Sequence, residues 1–131
     1  MKNETKEFIK DWKKIRGKTL DFLEKIPDKK MNWSPHKLLG TFGMQIRHVG
    51  KSQESYIKGI RSGKINFSDK SFDKEIENNK NKALKHLKKL DNELIELLKN
   101  VKDTNKDIIF VDGVWGEHIV SLNEVLHYLI E

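Results

Sequence analysis

The chain has 131 residues, 5 histidines, no cysteine and a formal net charge of +6. That length supports one domain with its own apolar core, and the lack of cysteine excludes disulfides, thiolate metal sites and a cysteine nucleophile while fitting a reducing, cytoplasmic setting. The apolar runs are too short to cross a bilayer and the opening MKNETKEF has no signal-peptide character, so no membrane partner is expected.

The first helix is expected over about Thr5 to Ile26. Phe8, Trp12, Ile15, Thr19, Phe22, Leu23 and Ile26 keep helical spacing there, and Pro27-Asp28 ends the element. Trp12 and Phe22 read as packing residues, and Gly17 as a mark of close approach to a neighbouring helix. Trp33-Ser34-Pro35 is an extended or turn entry, because a proline pushes the residue before it away from helical angles.

A central helix follows from about Thr41 to a stop at Ser62-Gly63. Arg47, Lys51, Glu54, Lys58 and Arg61 recur every three or four positions, opposite Phe42, Ile46, Val49, Tyr56, Ile57 and Ile60. His48 falls between these faces, on an uncharged strip with Thr41, Met44, Gln45, Ser52 and Ser55 that is expected to look into a partly polar interior. Two readings stand for it. One is a boundary histidine satisfied by Gln45, a serine or water. The other is a metal ligand, which needs two or three more donors converging from other helices.

Lys64 to Lys70 reads as a loop, with Phe67 placed to plug the end of the bundle. A long third helix is expected over Phe72 to Val101, with a stripe that includes Ile76, Ala83, Leu87, Leu90, Leu94 and Leu98. Its polar start, Asp73 to Lys82, should be exposed, project or fray, and His86, near Lys82, Lys85 and Lys89, reads as a surface residue. Asp107 to Val120 is the least helical section. Asp112-Gly113 between β-favouring runs points to a small hairpin-like connection, with Trp115 capping the core and His118 exposed.

Ser121 and Glu124 have capping-box spacing, and Leu122, Val125, Leu126, Leu129 and Ile130 give a fourth helix an apolar face. About ten residues of it are present, about 15 Å, half the length of the helices it would pack against. The longer helices should therefore leave an apolar groove where the rest of a fourth would lie.

Three pieces of the chain, in this order and spacing, resemble the DinB-like family, which includes relatives of the bacillithiol and mycothiol transferases. They are Met31-Asn32-Trp33-Ser34-Pro35, the run GMQIRHV from Gly43 to Val49 followed by Glu54-Ser55-Tyr56-Ile57, and Asp112-Gly113 leading into SLNEVLHYLIE from Ser121. The resemblance covers nearly the whole chain. It implies an all-α fold, a four-helix bundle over residues 1–131 as a single domain, with a shortened fourth helix and hence C-terminally incomplete. It also implies a divalent metal, nickel or zinc, held by three histidines, one on the second helix and two set four apart on the fourth. His48 matches the first of these, and the pair would fall beyond Glu131. His127 and Glu131, themselves four apart, offer a substitute set with His48, although Glu131 stands on a fraying last turn.

Two functions follow as expectations. A DinB-like metalloprotein would be thiol transferase-like or hydrolase-like, with a low-molecular-weight thiol as partner, His48 as ligand and Gln45, Ser52 and Tyr56 as pocket neighbours. A non-catalytic bundle would instead act by association, its groove taking a helix from a second copy in a symmetric homodimer. The sequence contains no Gly-rich phosphate loop, nucleophile elbow or HExxH. The positive charge is local, with 17 basic against 8 acidic residues in 1–70 and 9 against 12 in 71–131. Only 3 of the 26 basic residues are arginine, and the lysines alternate with acids on helix faces, which argues against a nucleic-acid partner.

Overall fold

Local sequence signals set most of the elements. In the computed structural model, which describes residues 3–36, 38–69, 71–112, 114 and 116–130, the chain begins with α1 (Asn3–Lys25), a 3-10 turn at Asp28–Asn32, α2 (Phe42–Ser62) and β1 (Lys64–Ile65). It continues through α3 (Glu75–Asn78), α4 (Lys80–Lys99), β2 (Asp107–Asp112), β3 (Gly116–Ser121) and α5 (Leu122–Ile130). Thr41 caps α2 by accepting from the Met44 amide at 3.2 Å. Ser121 and Glu124 cap α5 reciprocally, the serine hydroxyl accepting from the Glu124 amide at 3.1 Å.

The fold is mostly helical, as expected, and the hairpin-like connection is enlarged by one further strand into a small three-stranded sheet. The sheet arises at the end of α2. Gly63, at φ 89°, closes that helix in the left-handed conformation. Lys64 and Ile65 then leave in extended form, and they pair in parallel with Ile109 and Phe110. β2 and β3 pair antiparallel from Asp107↔Ser121 to Asp112↔Gly116, so the hairpin-like connection is present as the other two strands. Gly113 and Trp115, expected at the turn and over the core, lie outside the described residues.

The single helix expected over Phe72 to Val101 is also corrected, because it breaks at Asn79 (φ −128°, ψ 105°). The Asn79 side chain accepts from the Lys82 amide at 3.1 Å and so starts α4 afresh. The break lets α3 turn Ile76 into the core, so this polar stretch, most of it exposed as expected, docks through that residue and does not project. Gly43 makes the docking fit: a Cβ there would overlap the Glu77 carbonyl, so α3 can lie against α2 only where the side chain is hydrogen.

Two apolar clusters fill the interior. One gathers Leu23, Met31, Ile46, Ile76, Ala83 and Leu87. The other includes Phe8, Trp12, Ile57, Leu94, Ile108 and Leu122 and so joins α1, α2 and α4 to the sheet and α5. Phe67 packs on the second through Tyr56 and Phe110, with ring centroids at 5.4 and 5.8 Å.

The stripe expected on α1 is rotated from its predicted position. Its buried face carries Phe8, Ile9, Trp12, Arg16 and Leu23, whereas Ile15 and Phe22 are 42% and 61% exposed. Val49 on α2 is likewise open to solvent. Ile15 and Thr19 share an open concavity with Leu129 and Ile130 of α5, and Phe22 is uncovered.

Candidate functional site

The position of His48 follows from the burial of α2. Ile46, Gly50, Gln53, Ile57 and Ile60, spaced by four and three, form its buried face. His48 lies two residues from Ile46, about 200° around the helix. The ring is therefore exposed, as are Met44 and Gln45, which corrects the expectation for this part of the strip, whereas Ser55 is buried and Thr41 and Ser52 are partly buried. The His48 imidazole has no partner among the described residues.

Beside His48 is an open concavity of about 280 Å³ that includes Arg47, Lys51, Ser52, Asp69 and Phe72. Its wall is the loop between β1 and α3, which short polar side chains hold in shape. Asp69 Oδ1 accepts from the Ser71 amide at 2.9 Å and the Ser71 hydroxyl at 2.6 Å. Its Oδ2 lies 3.1 Å from Lys51 Nζ. The Ser71 bonds, aided by Lys51, hold this carboxyl well below the usual carboxylate range. Arg47 lies over the Phe72 ring at 3.6 Å, and its Nε stands 2.7 Å from Glu77 Oε1 without the alignment of a hydrogen bond.

Of the pocket neighbours expected for His48, only Ser52 shares its concavity. Gln45 donates instead to the Leu39 carbonyl at 2.7 Å. Tyr56 packs on Phe67 and Phe110, and burial, with Tyr128 adding to it, pushes its phenol up from the ordinary value.

The other histidines are dispersed. His36 sits in the loop before α2, its Nδ1 accepting from the Leu38 amide at 3.2 Å. His86 is half-buried over Gly50, opposite His48 on α2, which corrects its reading as a surface residue. His118 is exposed on β3 with its ring 5.5 Å from Phe110. His127 shares a concavity with Glu4, Glu7 and Asp11 of α1. Among the described residues no three of histidine, aspartate and glutamate are placed to hold a metal ion. Glu131, the third member of the substitute set, lies outside them.

Sequence reasoning missed a polar belt between the two apolar clusters. Arg16, Gln53 and Asp91 are all buried, one each from α1, α2 and α4. Asp91 Oδ1 accepts from Trp12 Nε1 and from Gln53 Nε2, each at 3.0 Å. Arg16 Nη2 donates to Gln53 Oε1 at 2.5 Å, its Nε lies 3.3 Å from the same Asp91 oxygen, and its guanidinium sits 4.9 Å from the Trp12 ring centre. The signal was available in the chain. Asp91 falls on the row Leu87, Leu94, Leu98, and Gln53 on the row Ile46, Ile57, Ile60, so opposed polar groups interrupt apolar rows on separate helices.

Amphipathic helices, a small three-stranded sheet and a buried polar belt define a mostly helical protein. The chain belongs to the DinB family, whose model matches residues 1–131. No curated protein matches it. Among the described residues the donor set does not by itself fit the family's metal, because His48 is the only imidazole lining its concavity and the nearby Asp69 is engaged by Ser71 and Lys51. One imidazole with solvent does not retain a divalent ion against exchange.

Proposed function

We propose that this chain is a DinB-family metal-binding protein of the four-helix-bundle type, in which His48 occupies the ligand position on the second helix. The chemistry is thiol transferase-like or hydrolase-like, and the setting is cytoplasmic. Nickel or zinc would be retained only with donors from beyond the described residues. Family membership over residues 1–131 supports this reading, and the observation that carries it is the open ring of His48 on α2, which has no partner among the described residues. A bound ion would act as a Lewis acid toward a low-molecular-weight thiol or a water molecule. The chain's own contribution is to orient His48 on a rigid helix, beside the Ser52 hydroxyl and the Lys51–Asp69 pair.

Metal analysis of the purified chain, alongside its His48→Ala variant, tests the proposal. Weak, exchangeable uptake of added nickel or zinc that is lost in the variant is the expected result. Metal content unchanged by the substitution, or no metal uptake in either protein, would overturn it.

A second reading, association without catalysis, is favoured by the run of exposed apolar side chains Ile15 and Phe22 on α1 and Val49 on α2. In this reading the face pairs with a second copy in a homodimer. Mass in solution distinguishes the two, since a metal-free dimer that becomes monomeric in Phe22→Lys supports association.

A further inference from the structure

The strand order β1-β2-β3 leaves β3 at one edge of the sheet, with Glu117, His118 and Ile119 exposed. Which backbone groups face that edge follows from the ladder. The Ile109 amide donates to the Gly63 carbonyl at 2.9 Å, so Ile109 turns its N–H and C=O toward β1. Ile119, its register partner on β3, is then a non-hydrogen-bonded neighbour, and alternation gives the β2–β3 bonds to the pairs Ile108–Val120 and Phe110–His118. Ile119, and Glu117 two residues before it, therefore point their N–H and C=O away from β2. Among the described residues nothing bonds to these four groups. The open edge stops at Ser121, whose amide faces Glu124 Oε1 at 3.4 Å in the cap of α5.

An edge of this kind pairs with another extended strand. None of the concavities described above is lined by β3, so the edge offers a foreign peptide backbone bonds but no side-chain pocket to select it. A second copy of β3 meets the edge better, and the two-fold registers differ in quality. Centred on Glu117, an antiparallel pair sets two carboxylates opposite each other. Centred on Ile119, it calls on the Ser121 amide that the cap already uses. Centred on His118, Glu117 of each copy exchanges both bonds with Ile119 of the other, and all the open groups are used.

We propose that β3 pairs antiparallel with β3 of a second copy, about a two-fold axis at His118, to form a six-stranded sheet. Each His118 ring already lies 5.5 Å from its own Phe110, so one face gains an aromatic row across the axis. On the other face Glu117 keeps its ion pair with Lys64 at 2.8 Å, and Ile119, 68% exposed in the single chain, gains a cross-strand neighbour. The outer edges of the joined sheet are the two-residue β1 strands, too short to recruit further chains, so the assembly closes as a dimer. One strand pair is a small contact, and the dimer therefore forms and parts with concentration. The inference goes beyond both readings above, since it uses neither His48 nor the exposed face of α1.

Translational diffusion and amide hydrogen exchange of the full chain, from about 20 µM to about 1 mM, test the proposal. The expected result is a monomer that passes to a dimer as concentration rises. Exchange at the Glu117 and Ile119 amides should slow at least roughly threefold with it, and the Ile109 amide, already bonded to β1, should change far less. Ile119→Pro removes an outward N–H and leaves the β2–β3 ladder whole, so dimerisation should weaken at least roughly tenfold. Ile119→Thr keeps the amide and should weaken it far less. Diffusion independent of concentration up to the highest point, or a dimer whose Glu117 and Ile119 amides exchange as in the monomer, would overturn the proposal. So would a dimer that Phe22→Lys abolishes and Ile119→Pro spares, because its contact would lie on α1. Protection of the same two amides already in the monomer would overturn it too, since another segment of the chain would then cover the edge. Should the proline variant not fold, exchange in the unaltered chain decides.

Discussion

Arg16 on α1 and Asp91 on α4 face each other at 3.3 Å, at the level where the two apolar clusters meet. Opposite charges taken out of water give little net stability. Their removal one at a time is another matter, since the remaining group is left buried without its counter-charge.

Asp91→Ala should therefore destabilise the protein by about 3 kcal/mol in urea unfolding. It strands Arg16 and also removes the acceptor for Trp12 and Gln53. The double variant Arg16→Met with Asp91→Leu should lose less than Asp91→Ala alone, because an apolar pair of similar volume carries no desolvation cost. A double variant as unstable as the single one would mean that packing, and not charge, holds the belt.

Two glycine substitutions should have opposite signs. Gly43→Ala forces α3 off α2 through the Glu77 carbonyl, at a cost of about 1–3 kcal/mol. Gly17, read from the sequence as a close approach, has nothing within 4 Å of where a Cβ would stand. Gly17→Ala should stabilise by roughly 0.5–1 kcal/mol, since alanine is the better helix former. Thermal melts of both variants check the pair.

Asn79 sets the break between α3 and α4 through its bond to the Lys82 amide. Replacing it with alanine should cost about 1 kcal/mol, and Asn79→Asp should retain most of the native stability because aspartate caps as well. Chemical denaturation of the three proteins gives the order.

Acidification should loosen the loop that walls the His48 concavity. Ser71 and Lys51 hold Asp69 below the usual carboxylate range, so its folded-state pKa lies below its unfolded value. Its contribution is present at neutral pH and is lost as pH falls from about 4, the ordinary carboxylate value, through the depressed one. Hydrogen exchange at the Ser71 amide should accelerate, relative to its intrinsic rate, across that window. In Asp69→Ala, which has no side-chain acceptor, it should be fast throughout and lack this transition. Exchange that shows the same transition in the variant would assign the loop's order to other contacts.

The chain of residues alone determined the helical character, the start of α2 near Thr41, the cap at Ser121, the stop at Gly63 and the hairpin-like connection, because periodicity, capping and turn chemistry act between residues a few positions apart. The break at Asn79 was signalled as locally as the rest, by a capping side chain in a polar stretch, yet the apolar stripe running from Ile76 to Leu98 hid it. Helical spacing places a residue at an angle on its own helix. It says nothing about the direction of the neighbouring helix.

Only the tertiary structure decided which sector of α1 and α2 is covered, and so turned Ile15, Phe22 and Val49 outward and His48 with them. It likewise set Lys64-Ile65 beside β2 and brought Arg16, Gln53 and Asp91 to one level. Those outcomes depend on the axial register and rotation of three helices packed against one another. Register of that kind comes from the summed packing of the interior, which no short stretch of sequence contains.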